Sequence, residues 1–162
     1  MAAPEPAPLN YALRLLARKA YSEKALQGKL SSRFPDPAAV HKTMDKLRSM
    51  NYLNDPRLAA ELARSRILDH RWGPRRVKQG LVFRHLLPAG IVAEAIQAAL
   101  AEQGEAETLN QAVNKWVRSH GEIMDIRDLL RLNNFLLRQG FNPDQIRHRL
   151  AEFRLRNEDT LT

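Results

Sequence analysis

The five histidines, His41, His70, His85, His120 and His148, are the first side chains to ask about metal or proton chemistry. No two of them stand at a metal-ligand spacing, so solvated or half-buried imidazole is the reading they support. Cysteine is absent, which excludes thiol catalysis, disulfide scaffolds and Cys-zinc sites. Glu102, Glu105 and Glu107 form an acidic patch that could hold a divalent cation. Favourable charge at a helix start explains the patch more simply. The seven glycines, at 28, 73, 80, 90, 104, 121 and 140, are scattered singly. A phosphate-cradling loop would need several close together. G-x-x-x-x-G-K-[ST], G-x-S-x-G, H-E-x-x-H and G-x-G-x-x-G are all missing. The expectation is a protein with no active site, no metal and no cofactor.

What remains is positive charge. The 162 residues carry 26 Lys plus Arg against 18 Asp plus Glu, a formal charge of +8. Residues 1–55 hold nine bases and five acids, residues 56–100 eight and three, and residues 101–162 nine and ten. The surplus peaks between Arg64 and His85, where Arg64, Arg66, Arg71, Arg75, Arg76, Lys78 and Arg84 face only Asp69. A phosphate-bearing or acidic partner is one reading and a solvated basic face the other.

A second signal lies on the helix expected over 125–139. At ~100° per residue, Arg127, Arg131, Asn134 and Arg138 fall within an arc of ~60°. Ile126, Leu129, Leu130, Leu132, Phe135, Leu136 and Leu137 cover its other sides. Three arginines in one exposed line suit phosphate oxygens or a carboxylate row. They would equally serve as the wet face of a buried helix.

The helix expected over 74–86 differs. Val77 and Leu81 mark a core face, while Val82, Phe83 and Leu86 lie opposite, among Arg75, Arg76 and Gln79. Stacking against a neighbouring repeat accounts for an apolar surface on both sides. An interface with Arg anchors around an apolar centre is the alternative. Arg71-Trp72 is open to the same two readings, a hot spot or a core tryptophan. Trp116 is expected in the core.

Helices must position all of these groups, because no stretch alternates with period two and helix formers dominate throughout. Ser22-Glu23, Asp36-Pro37 and Asp55-Pro56 read as capped helix starts, and Gly73-Pro74, Leu87-Pro88 and Asn142-Pro143 open three more. The spacing predicts helices over 9–19, 22–34, 36–50, 56–70, 74–86, 88–101, 106–119, 125–139 and 143–155. These fall into a repeat. Val40-Met44-Leu47, Val92-Ile96-Ala99 and Ile146-Leu150-Phe153 are i, i+4, i+7 faces separated by 52 and 54 residues. Phe34, Leu86 and Phe141 close the preceding helices at 52 and 55. Leu26-Leu30, Val77-Leu81 and Leu132-Leu136 correspond in the middle helices.

The fold class expected is therefore all-α: three tandem three-helix repeats over 9–54, 55–103 and 104–156, leaning on one another. A disordered lead-in, 1–8, and a tail, 157–162, flank them. No apolar run approaches the ~20 residues that span a bilayer, and Met1–Pro8 lacks the features of a signal peptide. A cytoplasmic protein is expected.

Three segments together resemble the RecX family, bacterial regulators of the RecA recombinase. Ala12–Leu30, with Leu15-Leu16-Ala17-Arg18, Ser22-Glu23 and Lys29-Leu30, is similar to the opening "LLA-R…SE-EL…KL". Tyr52-Leu53-Asn54-Asp55, Arg57, Ala59–Arg66, Trp72-Gly73-Pro74 and Val77 resemble "GYLND-RFA…R…(Y/W)GP-RI". Phe135–Phe141 followed by Ile146 resembles "RFLL-RGF…I". The resemblance runs over roughly residues 10–155. Departures are Ala25 and Gly80 where acids are usual, His85 at the place of a common Gly, and Asn51 for the Gly of "GYLND".

The resemblance implies an elongated, curved helical array lying along the groove of the RecA–DNA filament; a monomer is expected. It also implies limits on filament growth, ATPase, strand exchange and coprotease activity, with DNA contact weak or RecA-dependent and no membrane involved. The residues expected to face that filament are Arg71, Trp72, Arg75, Arg76, Lys78, Arg84, Arg127, Arg131 and Arg138. An autonomous DNA-binding protein built of helix-turn-helix-like units is the alternative. No helix, however, concentrates base-reading Asn, Gln and Arg at its N-terminus.

Overall fold

The computed structural model describes residues 7–159, with side chains through Phe153. The expected lead-in up to residue 6 and the tail from 160 onward lie outside the described residues. Nine helices and no strand are found among them. They are α1 (Pro8–Arg18), α2 (Glu23–Arg33), α3 (Pro37–Ser49), α4 (Asp55–Arg64), α5 (Pro74–Gln79), α6 (Ala89–Gln103), α7 (Glu105–His120), α8 (Ile126–Gln139) and α9 (Pro143–Asp159). Two of them end in a wider π-turn: α4 runs on through Ser65–Asp69 and α5 through Gly80–Arg84. The i→i−5 bonds His70 N–H to Ser65 O, 3.2 Å, and His85 N–H to Gly80 O, 3.3 Å, close these turns.

The repeating apolar faces are the cores. Val40, Met44 and Leu47, then Val92, Ile96 and Ala99, then Ile146 and Leu150, are all buried. So are the middle-helix pairs Leu26-Leu30, Val77-Leu81 and Leu132-Leu136. Buried side chains separate into three clusters, one drawn from Ala12–Leu53, one from Leu58–Ala99 and one from Leu109–Leu150. Trp116 belongs to the third. A unit this size buries little apolar surface alone, so the joints between units matter to stability.

Caps set the helix starts. Ser22 accepts from Ala25 N–H at 3.2 Å, and Asp36 from Ala38 N–H at 2.9 Å. Asp125 and Asn142 do the same for α8 and α9. Asp55 does not. Asn54 caps α4, accepting from Arg57 N–H at 2.9 Å, and the Asp55 carboxylate reaches across to Glu23 N–H at 3.0 Å. Burial pushes the Asp55 carboxyl above its usual range, and the Glu23 amide only partly offsets this.

Chain reversals use positive-φ residues, and among the described residues three of the six are not glycine: Asn51, Arg71 and Leu86, beside Gly104, Gly121 and Gly140. The expected register needs one correction here. Leu86 does not fill the core slot that Phe141 fills; it sits exposed at φ +54, and Leu87 is buried instead. The π-turn supplies the reason, because it adds one residue to the turn. Leu87 N–H returns to Leu81 O, six residues back, whereas Phe141 N–H returns to Leu136 O, five back.

Two joints link consecutive units. Between the first and second, the Ser22 hydroxyl donates to the His85 carbonyl beside the Asp55–Glu23 bond. Between the second and third, the joint is backbone on backbone. Gly73 N–H donates to Gln139 O at 2.8 Å and Arg75 N–H to Gly140 O at 3.1 Å. A Cβ on Gly73 would overlap the Gly140 carbonyl and Phe141 nitrogen, and one on Gly140 would overlap Arg76. Gly28, by contrast, faces open space. Gly73→Ala should therefore lower stability by about 3 kcal/mol through overpacking. Gly28→Ala should raise it by about 0.5–1 kcal/mol. Urea unfolding of the two variants beside the wild type checks both signs.

Candidate nucleic-acid interface

The glycine joint brings the loop after α4, the start of α5 and the end of α8 onto one wall. Pro74 opens α5 directly from that loop, so Arg76 emerges one residue after the backbone bond made by Arg75. Its guanidinium donates to Gln139 Oε1 at 2.7 Å and lies 3.7 Å from the Trp72 ring centroid. Arg66 lies over the same ring at 4.9 Å, and His70 meets it edge-on at 5.7 Å. Trp72 is thus a half-buried hub that organises cations.

Three cavities run in series from this hub. The first, about 310 Å³, is lined by Arg71, Trp72, Arg76, Lys115 and His120, the last stacked on Trp116 with centroids 4.4 Å apart. The second, about 640 Å³, has Trp72, Arg76, Phe83, Arg84 and Arg138 on its walls. The third, about 520 Å³, lies at the first joint, between Lys19, Tyr21, Lys29, Arg84 and His85. Trp72, Arg76 and Gln139 are shared by the first two, and Arg84 by the last two. Among the described residues, no Asp or Glu lines any of the three. Glu23, Glu102 and Asp128 are engaged elsewhere, with Arg48, Arg64 and Arg131.

The electrostatics follow from that arrangement. Burial, then repulsion from Arg84 and Arg66, lowers the Arg76 pKa. Burial, then Arg66, Lys19 and Arg84, pulls His85 below the ordinary histidine value. Among the described residues, no carboxylate pairs with Arg76, Arg84 or Arg138. A groove of unneutralised cations is the arrangement that polyphosphate relieves.

Of the nine residues singled out from sequence, Arg71, Trp72, Arg76, Arg84 and Arg138 come together in this groove. Arg75 and Lys78 are exposed on α5 outside it. Arg127 and Arg131 are exposed further along α8, with Arg131 paired to Asp128 at 3.3 Å. Phe83 joins the groove from the apolar side of the helix over 74–86, where an interface is the alternative reading. Lys19, Lys29, Lys115 and Gln139 join the walls without having been anticipated, since only the joints bring them near.

Two expectations are corrected. Stacking on the next unit covers Arg76 but not the apolar side of α5 and its π-turn, where Phe83 is 73% exposed. On α8, Leu129, Leu132 and Leu136 are buried, whereas Ile126, Leu130 and Leu137 are 56%, 55% and 42% exposed. One packed face is all that α7 and α9 provide, so an apolar line remains bare beside the arginine line.

Residues 9–47, within the first unit, match the family model described as RecX, first three-helix domain. Over 138 residues, 84% of this chain and 81% of the relative, the sequence is 36% identical to regulatory protein RecX of Halorhodospira halophila. The chain belongs to the RecX family. The RecX of Leptothrix cholodnii is 30% identical over 152 residues, 92% of each chain. In fold, the crystal structure of RecX from Lactobacillus salivarius superposes with a TM-score of 0.72 at 20% identity, covering 91% of this chain and 95% of that one.

The RecX-like segments have definite physical roles in this chain. Asn51 takes the left-handed turn, Asn54 caps α4, and Asp55 makes the first joint. Trp72-Gly73-Pro74 meets Gln139-Gly140-Phe141 at the second.

His85 gives a pH test. Its folded pKa lies below the unfolded value of about 6.5, so the unfolded chain binds more protons between the two. Its contribution to stability is complete above about pH 6.5 and is lost as the pH falls towards the folded value. Melting temperatures between about pH 8 and pH 5 should decline through that window. His85→Gln should flatten the decline.

Proposed function

We propose that this chain is a non-enzymatic inhibitor of the RecA recombinase. It lies along the RecA–DNA filament in the cytoplasm as a monomer and limits filament growth, ATP hydrolysis, strand exchange and coprotease activity. The units that do so are 9–54, 55–103 and 104–156. RecX membership supports this reading, and the observation that carries it is the acid-free groove passing both joints. Arg71, Trp72, Arg76, Arg84 and Arg138 belong to the groove side, which suits DNA phosphate. Arg75 and Lys78 extend its charge. On α8, Arg127 and Arg131 border the bare Ile126-Leu130-Leu137 line, an apolar strip edged by arginine that suits an acidic protein surface. Many weak contacts repeated along a filament sum to tight binding.

The deciding experiment adds substoichiometric amounts of this protein to cognate RecA on single-stranded DNA. Strand exchange and DNA-dependent ATP hydrolysis should both fall, with no hydrolysis by this protein alone. Unchanged RecA turnover at saturating protein would overturn the reading. Equally tight binding to DNA with and without RecA would favour an autonomous DNA-binding protein instead.

Replacing Arg127, Arg131 and Arg138 together by Glu should change stability by no more than ~0.5 kcal/mol each, because all three are exposed. Filament binding should weaken nonetheless, and each lost phosphate contact should lower the salt slope by roughly one. Thermal melts and filament binding over a salt series read the two effects separately.

A further inference from the structure

Gly80, like Gly28 on the wall of the third cavity, is a helix glycine on the groove that nothing internal accounts for. It lies between α5 and its π-turn at an ordinary helical φ of −63°, so no left-handed backbone requires glycine. A Cβ there would meet nothing within 4 Å, so no neighbour requires it either. Glycine inside a helix nevertheless costs about 1 kcal/mol relative to alanine. What its bareness does is open the wall of the 640 Å³ cavity beside Phe83 and Arg84, three and four residues on and hence on the same helix side. That volume lies within the range of small-molecule sites, about 300–1,000 Å³.

The rest of the wall defines the occupant. Phe83, 73% exposed, presents a free aromatic ring to the cavity. Trp72 does not, because Arg76 and Arg66 already lie against its ring. Arg76, Arg84 and Arg138 supply cations that have no carboxylate partner among the described residues. Gln79 adds one amide donor and one acceptor, a pair that the edge of any base can match. Basic cavities on either side extend the charge to the length of a strand, more than a single carboxylate or a mononucleotide would use. A duplex offers no free base face to Phe83; an unpaired strand does.

We propose that this cavity receives one unpaired nucleobase of single-stranded DNA, stacked on Phe83 beside Gly80, with its flanking phosphates on Arg76, Arg84 and Arg138. The inference deepens the DNA-contacting half of the function proposed above. The DNA-binding arms of its test contain no RecA, so either can fail without the other.

The test is fluorescence anisotropy of the full chain with labelled oligothymidylate, an equally long strand lacking bases, and a duplex. Phe83→Ala should bind oligothymidylate roughly ten-fold more weakly, with the salt slope unchanged. It should bind the baseless strand and the duplex like the wild type, and Phe83→Trp should restore affinity. Gly80→Leu, which fills the open wall and favours the helix, should reproduce the Phe83→Ala pattern. Arg84→Gln should weaken both single strands and lower the slope by roughly 0.7. Circular dichroism melts confirm that each variant is folded. Undiminished binding of oligothymidylate by Phe83→Ala, or an equal loss on the baseless strand, would overturn the proposal. So would a Phe83→Ala variant that keeps DNA affinity but loses binding to DNA-free RecA, which would assign the cavity to a protein side chain.

Discussion

Gly73 and Gly140 meet with no space between them for a single carbon, and this contact determines how the second and third units are held. The two amide-to-carbonyl bonds at the contact replace what would otherwise be solvated loop backbone. Close approach of this kind is open only to glycine, and Gly140 needs its freedom twice over, because it also ends α8 at φ +90. Once the contact is made, Arg76 has one place to go, between the Trp72 ring and the Gln139 amide. The charge of the groove is thus assembled by a joint whose own atoms are neutral.

That assembly works against the local electrostatics. Cations held close together without carboxylates raise one another's energy, which adds to burial in lowering the pKa values of Arg76 and His85. A chain selected only for stability would place an acid among them, as it does at Arg48, which lies between Glu23 and Asp45. Leaving the groove uncompensated keeps its attraction available to an external polyanion, the usual relation between strain at a site and function.

The cores were legible in the sequence because they obey one rule. Apolar residues at i, i+4 and i+7 recur at a near-constant interval, and each marked position is at least half buried in the structure. The caps at Ser22, Asp36 and Asn142 were legible for the same local reason. What escaped was whatever depends on two segments at once. A π-turn leaves no periodic signature, so Leu86 was read in the slot that Leu87 fills. Asp55 has the spacing of a cap, yet its carboxylate serves another helix. On α8 the apolar residues outnumber what neighbouring helices can cover, and periodicity alone cannot say that Ile126, Leu130 and Leu137 are the ones left bare. The groove was half legible: its second-unit arginines stood out as a run, while Lys19, Lys29 and Lys115 reach it only through the joints.

The two joints also differ in kind. Main chain against main chain has no rotamers to change and no group to titrate, so the second joint holds the backbone of the second and third units in one arrangement. The joint between the first and second depends on a serine hydroxyl and a half-buried carboxylate, beside an imidazole whose proton is held loosely. Such contacts exchange readily with water and shift with acidity. Along its length the molecule therefore has one stiff articulation and one compliant one, a preformed grip at one end of the groove and an adjustable span at the other.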